Sequence, residues 1–114
     1  ALKDTADGMR TAIDALAEAT EWLSLRIGSE SQSVAAGCTP YLNLFGTVAA
    51  AGAIAKLAIA ACEEESGEWS KTLLDSRVTL ARFFIQQLLP PAVGLVPSIT
   101  CGAEALFELD PAAL

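Results

Sequence analysis

The residues best suited to chemistry in this chain are its acidic pairs, which could hold a metal ion. Asp4 and Asp7 lie three residues apart, as do Glu18 and Glu21, and this spacing places both carboxylates of a pair on one face of a helix. Di-iron helical bundles use such carboxylates together with a Glu-x-x-His motif on two other helices. The sequence contains no histidine, so this metal chemistry is excluded.

A second acidic group consists of Glu63, Glu64, Glu65 and Glu68. A calcium-binding EF-hand loop places its ligands at alternating positions around a glycine turn, and this run has neither feature. We interpret it as a solvated loop that follows a helix. No metal-binding residue is therefore predicted.

The cysteines and glycines do not form a catalytic pattern either. Cys38, Cys62 and Cys101 are far apart and follow no Cys-x-x-Cys spacing, and a nucleophilic thiol needs a nearby base that this sequence does not offer. We expect three buried, reduced thiols in a cytoplasmic protein, with Cys101 in the core. No glycine-rich phosphate-binding loop is present. We predict no catalytic or cofactor-binding residue in this chain.

The cations are few, and two of them lie on one predicted helix. Seven Lys and Arg residues against fourteen Asp and Glu residues give a net charge of −7, which disfavours nucleic acid and anionic membranes as partners. Arg77 and Arg82 either reach solvent or pair with carboxylates, or they face a partner domain or the phosphates of a nucleotide.

Three long helices must position these residues. The first covers about residues 4–27, because mainly apolar residues recur there in alternating steps of four and three. Gly28 ends it. Its stripe consists of Met9, Ile13, Leu16, Thr20, Leu23 and Ile27.

The second helix runs to about Glu64 and starts either near Ser31, with a bend at Pro40, or at Thr39. Ser29 and Gln32 have the spacing of a capping box for the first alternative. Its stripe would consist of Tyr41, Phe45, Val48, Gly52, Ala55, Ile59 and Cys62, although its other faces are also apolar.

This second helix is long enough to cross a bilayer, but Lys56 near the middle of its apolar run and the acidic flanks disfavour insertion. Between Glu30 and Glu63, Lys56 is the only formal charge. Such a helix is more often central in a bundle or covered by another domain. We therefore do not expect a membrane-spanning protein.

The third helix follows a cap at Ser66 or Ser70, and the double proline Pro90-Pro91 either ends it or bends it. Its predicted stripe consists of Trp69, Leu73, Leu80, Phe84 and Leu88, and a last helical stripe consists of Val96, Ile99, Ala103 and Leu106. No stretch alternates with period two. The prediction is an all-α antiparallel bundle, of three long helices with the third bent or of four helices.

Two stretches of the sequence resemble one family. The first is TPYLNLFGTV at residues 39–48, continuing to Ala61, and the second comprises ARFF at 81–84, LLP at 88–90 and ITCGAEAL at 99–106. Together they resemble the extra C-terminal domain of a bacterial branch of the acyl-CoA dehydrogenases. This branch includes the 3-methylmercaptopropionyl-CoA dehydrogenases.

The resemblance implies a role in fatty acid metabolism as part of a larger enzyme. Acyl-CoA dehydrogenases use FAD and a glutamate base to form the 2,3-enoyl thioester, and both belong to upstream domains outside this chain. Residues 1–114 would then be one helical domain excised from a larger flavoenzyme, itself non-catalytic and bound to no cofactor. It would pack on the upstream catalytic domains or across a homo-oligomer through a docking surface that includes Tyr41, Phe45, Gly52, Arg77 and Arg82.

Two alternatives belong to other functional classes. One is an independent helical module that self-associates through residues 34–62, and the Gly52→Leu variant would then break the oligomer. The other is peripheral attachment to a membrane, which flotation with liposomes would reveal. The first hypothesis predicts instead that the purified chain binds no flavin and has no dehydrogenase activity.

Overall fold

A computed structural model describes residues 2–113, and every regular element in this range is helical, which confirms the all-α prediction. The first two helices are α1 (Leu2–Arg26) and α2 (Ser31–Cys62). A third rod consists of α3 (Lys71–Phe83), a π-helical turn (Phe84–Leu88), α4 (Leu89–Val93) and α5 (Val96–Thr100). The short helix α6 (Glu104–Glu108) and a 3₁₀ turn (Pro111–Ala113) follow.

The helices form an elongated antiparallel bundle around α2. Met9 lies beside Gly52, and Thr20 bonds to Tyr41, so α1 and α2 run in opposite directions. The third rod returns along α2: α3 packs on its C-terminal half, and α5 reaches Gly37. The bundle measures 66 × 30 × 22 Å along its principal axes. This is the predicted arrangement of three long helices with the third one bent.

The double proline leaves the third rod helical. The N–H of Leu89 donates to the carbonyl oxygen of Phe84, five residues back, in the π-helical turn that directly precedes Pro90. A proline inside a helix lacks an N–H and its ring clashes with the carbonyl four residues earlier. A π turn changes the hydrogen-bond spacing of a helix from four residues to five, and here the rod bends at the prolines rather than ends.

The caps resolve two alternatives that the sequence left open. Helix α2 starts at Ser31 and continues through Pro40. The predicted capping box was wrong, because the cap residue is Glu30 and no side chain bonds to the end of the helix. Ser29 belongs instead to the turn that closes α1, where its N–H donates to Arg26. At the start of α3, the Ser70 hydroxyl accepts the Leu73 N–H at 3.1 Å.

The core consists mainly of small side chains. Helix α1 contributes Ala12, Ala15 and Ala19, and the buried face of α2 includes Gly37 and Ala51. Small residues let helix backbones approach closely, so the helices of this bundle are held together with few large side chains between them. The largest fully buried side chains are Leu44, Leu89 and Ile99.

The predicted stripes were correct in part: Leu23, Val48, Ile99 and Ala103 are buried as predicted. Several other large residues assigned to the core are about half exposed or more, since alanines beside them occupy much of the buried face. Buried positions of α1 follow Ala12, Ala15, Ala19 and Leu23, and those of the third rod follow Ala81, Ile85 and Leu89. The exposed members of the predicted stripes include Ile13 (51%), Ile27 (69%), Phe45 (49%), Ile59 (57%), Trp69 (52%) and Leu80 (52%).

Candidate functional site

One face of α2 is largely uncovered within the described chain, and only its C-terminal end, at Leu57 and Ala60, borders a small groove against α3. We call this face the outer face, and Leu42, Phe45 and Leu57 on it are 69%, 49% and 48% exposed. Its residues recur every three or four positions, which places them on one side of the helix. Lys56, which is also exposed, lies on the same side of the helix, because it is five helical turns after Cys38. The outer face consists of Cys38, Leu42, Phe45, Gly46, Ala49, Ala53, Leu57 and Ala60, all exposed.

The five residues predicted to form one docking surface lie in different places. Phe45 is on the outer face. Tyr41 points to α1, where its hydroxyl is 2.8 Å from that of Thr20, and its ring lies at a tilt, 6.2 Å from that of Phe45. A Cβ on Gly52 would be 3.7 Å from Met9 of α1, so Gly52→Leu would test packing inside the chain and not an oligomer.

Arg82 lines a large apolar cleft that we call the open groove. It has a volume of about 590 Å³, with α1 and the third rod as walls and the C-terminal part of α2 as floor. Alanines on the floor leave the space empty, and α3 packs on α2 rather than closing against α1. Residues that line it include Met9, Arg10, Ile13, Ala55, Ala58, Ile59, Cys62, Glu63, Val78, Arg82 and Ile85.

Arg77 lies in a separate, smaller groove of about 190 Å³ between α2 and α3. Glu64 and the half-exposed Trp69 also line it. Trp69 is thus a surface residue of the loop before α3, whereas Trp22 is partly buried and stacks under the Arg26 guanidinium at 4.2 Å.

The charges of the two grooves are only weakly compensated. Within residues 2–113, neither Arg77 nor Arg82 forms an ion pair. Arg10 lies 3.6 Å from Asp7 in an exposed pair, which contributes little because water screens it. The open groove is therefore an apolar cleft with two arginines on opposite walls.

The acidic run forms the loop between α2 and α3, as predicted, and Glu64 is the residue that orders it. A hydrogen bond from the Ser66 side chain and a second from the Ser66 N–H, 2.7 Å from Glu64 Oε1, hold the pKa of this carboxyl below its ordinary value. Both bonds favour the ionised form. Across the described residues, no three potential ligands are close enough to hold a metal ion, and no buried side chain is polar or charged.

The prediction of buried cysteines was wrong. All three are free thiols and all three are exposed. Cys38 lies on the outer face, Cys62 lines the open groove, and Cys101 lies in the turn after α5, where its Sγ donates to the Ser98 carbonyl at 3.4 Å. Cys101 lies outside the core, at the point where the chain turns; the next residue, Gly102, has a φ of +77°.

Two stretches are long and apolar enough to cross a membrane by length and composition, Ser31–Cys62 and Lys71–Thr100. A core helix of a soluble protein passes the same test. Helix α2 differs from an ordinary core helix in its exposure, since only 28% of its most apolar 18-residue segment is buried.

The fold and these surfaces define a class: a small helical domain whose apolar surface needs cover and whose described part carries no polar site of its own. The family model described as "Acetyl-CoA dehydrogenase C-terminal like" matches residues 1–110. The chain belongs to this family, the C-terminal domains of acyl-CoA dehydrogenase-type enzymes. No protein with a curated description and no solved structure matches it.

The family implies FAD in the parent enzyme, and the residues of this chain do not fit that cofactor. A flavin needs donors for its two phosphates and polar groups that orient its ring. The open groove offers Arg10 and Arg82, but its floor and walls are otherwise mainly apolar. No buried polar side chain among the described residues is available to fix a ring. We assign no flavin contact to this chain.

Proposed function

We propose that this chain is the structural and assembly domain of an FAD-dependent acyl-CoA dehydrogenase of the 3-methylmercaptopropionyl-CoA dehydrogenase-like branch. The full-length enzyme would remove a proton and a hydride from an acyl-CoA thioester to give the 2,3-enoyl product. The catalytic base and the flavin would belong to upstream domains. This domain would contribute interface area and no catalytic group.

The outer face of α2 is the observation that carries the proposal. Its three large side chains, Leu42, Phe45 and Leu57, have about half or more of their surface exposed. Completing the burial of one such side chain stabilises an assembly by about 1 kcal/mol. Because small residues separate these side chains, another body can pack closely along the helix.

The upstream catalytic domains of the same polypeptide are the proposed occupant. A covalently linked partner is present at high effective concentration, so even a modest apolar face remains covered. Lys56, the one charge within α2, lies on the side of the helix that carries the outer face, and its long aliphatic stem lets the ammonium group reach solvent while the apolar side chains pack.

The catalytic part of the proposal is tested on the purified 114-residue chain. We expect no flavin absorbance after purification, no uptake of added FAD and no dehydrogenation of acyl-CoA substrates. A yellow preparation that oxidises an acyl-CoA would refute the assignment.

The docking part is tested in the parent enzyme. Leu42→Glu places a charge within the proposed interface, at its most exposed large side chain, and we expect it to release the domain, so that limited proteolysis cuts the connection to the catalytic body. Leu25→Glu is the matched control, since Leu25 is 72% exposed at the end of α1. Equal resistance of both variants to protease would contradict docking through the outer face.

A further inference from the structure

The segment of residues 104–110, which we call the tail, has apolar side chains without cover. It contains α6, which has no buried residue. Leu106, Phe107 and Leu109 are 66%, 66% and 56% exposed. Three neighbouring large apolar side chains in a segment this short indicate a contact with another surface.

The tail is also strongly acidic. Glu104, Glu108 and Asp110 alternate with the apolar side chains, and no Lys or Arg follows Arg82 in the sequence. A surface that receives the tail should therefore be apolar with cations at its edge.

The open groove has these properties. Its volume of about 590 Å³ has room for several large side chains, and Ile13 and Ile59 on its lining are about half exposed. Arg10 and Arg82 flank it and Glu63 also lines it; Arg10 pairs with Asp7, so Arg82 is the cation of this lining that forms no ion pair within residues 2–113. In a chain whose net charge is −7, this is a distinctive place for an acidic peptide to bind.

The tail cannot reach the groove of its own molecule. Gly102 lies beside Ser33 at the N-terminal end of α2, whereas Ala58 marks the groove near the C-terminal end. Those 25 residues of helix span about 37 Å. The five residues from Gly102 to Phe107 extend to at most about 18 Å, so only another molecule can offer its groove.

We propose that the tail of one copy binds in the open groove of a second copy. Two antiparallel bundles bring the tail end of each next to the groove end of the other, so a two-fold dimer fills both grooves and closes. A stable interface buries at least about 1,200 Å² in total, and the reciprocal arrangement seats two tails rather than one. This surface is separate from the outer face of α2, so the proposal goes beyond docking to upstream domains.

Sedimentation equilibrium of the purified chain tests the dimer. Phe107→Ser should weaken dimerisation at least about tenfold, as expected for an aromatic anchor. Leu42→Ser is the matched control, because Leu42 is 69% exposed on the outer face, and it should leave the dimer unchanged. A monomeric wild-type chain at high concentration, or a dimer equally strong in Phe107→Ser, would overturn the proposal.

Mixing two charge variants gives a second test. One carries Arg10→Glu with Arg82→Glu, so the groove of one copy repels the acidic tail of a second copy of the same variant. The other carries Glu104→Lys with Glu108→Lys, so the tail of one copy repels the groove of a second copy. Each should be monomeric alone, and the mixture should form a heterodimer, since both tails then meet grooves of opposite charge. A mixture that stays monomeric would contradict the pairing.

Cys62 reports directly on the groove. We expect a thiol reagent to label it slowly in the dimer and rapidly in Phe107→Ser, while Cys38 on the outer face serves as the exposed reference. Protection of Cys62 that persists in the monomeric variant would mean a different occupant, such as a fatty amphiphile, and would overturn the proposal. All of these measurements use the isolated chain, so their failure is distinct from a failure of docking in the parent enzyme.

Discussion

The carbonyl oxygen of Ile99 lies 2.8 Å from the point where a Cβ atom would stand on Gly37. This contact joins α5 to the first part of α2 and sets how closely the end of the third rod approaches. We expect Gly37→Ala to lower the free energy of unfolding by about 1–3 kcal/mol, because the backbone of α5 has to move. Urea denaturation measures the change.

Gly46→Ala is the matched control on the same helix. No atom lies within 4 Å of its Cβ position, so alanine should raise the free energy of unfolding by about 0.4–1 kcal/mol through the lower entropy of the unfolded chain. If Gly37→Ala stabilised the protein as Gly46→Ala does, the close approach of α5 would be refuted.

Two leucines on α2 test which face of this helix is buried. Leu44 is fully buried and Leu42 is 69% exposed. Leu44→Ala should cost about 2–5 kcal/mol of stability because it leaves a cavity, whereas Leu42→Ala should change stability by less than about 0.5 kcal/mol. Thermal or urea unfolding of the isolated chain distinguishes them, and similar losses for both variants would contradict the register of α2.

The cap of α3 gives a smaller, local prediction. Ser70 accepts the Leu73 N–H through its hydroxyl, and Ser70→Ala should destabilise the domain by about 1 kcal/mol. Ser70→Asp retains an acceptor at the same position and should restore most of the loss. A Ser70→Ala variant as stable as the wild type would show that the cap contributes nothing.

Glu64 gives a pH dependence. Its carboxyl has a folded-state pKa below the ordinary value, since the Ser66 side chain and then the Ser66 N–H donate to it. A lowered pKa contributes stability that is present above the unfolded-state pKa and is lost as the pH falls through the folded-state pKa. Acidification should therefore loosen the loop between α2 and α3.

Ser66→Ala removes the larger of these contributions, and NMR titration of the Glu64 side chain should show its pKa rise toward the ordinary value. Glu65→Gln, a change in the same loop, is the control and should move it less. An unchanged Glu64 pKa in Ser66→Ala would contradict the hydrogen bond.

Much of the fold follows from the sequence because its signals are local. The end of α2, the loop at the acidic run and the rod interrupted at Pro90-Pro91 all follow from composition and from residues that stop or bend helices. The choice between ending and bending at the prolines required the structure, since the π-helical turn before Pro90 depends on how the rod packs against α1 and α2.

The buried faces could not be predicted from hydrophobicity alone. Large residues such as Ile13 and Ile59 dominate an apolar pattern, whereas the helices here pack on alanines such as Ala12 and Ala51. A stripe predicted from large residues therefore mixes exposed positions with buried ones such as Leu23 and Val48. A mainly alanine core also means that the large side chains remain for contacts outside the chain.

The open groove was not predictable for a related reason. Arg10, Cys62 and Arg82 are far apart in the sequence, and they meet only because α3 packs on α2 and leaves the floor open. The one sequence signal was the run of small residues near the end of α2, which the helix pattern by itself assigns to close packing.

Labelling of Cys38 tests the central claim most directly. This thiol lies on the outer face of α2 and is exposed in the isolated chain, so it should react readily with a maleimide there. In the full-length dehydrogenase, docking of the outer face on the catalytic body should protect Cys38. Mass spectrometry of the labelled peptides measures both rates in the same samples. Protection of Cys38 in the parent enzyme is the predicted result, and equally rapid labelling of Cys38 in both proteins would contradict the account.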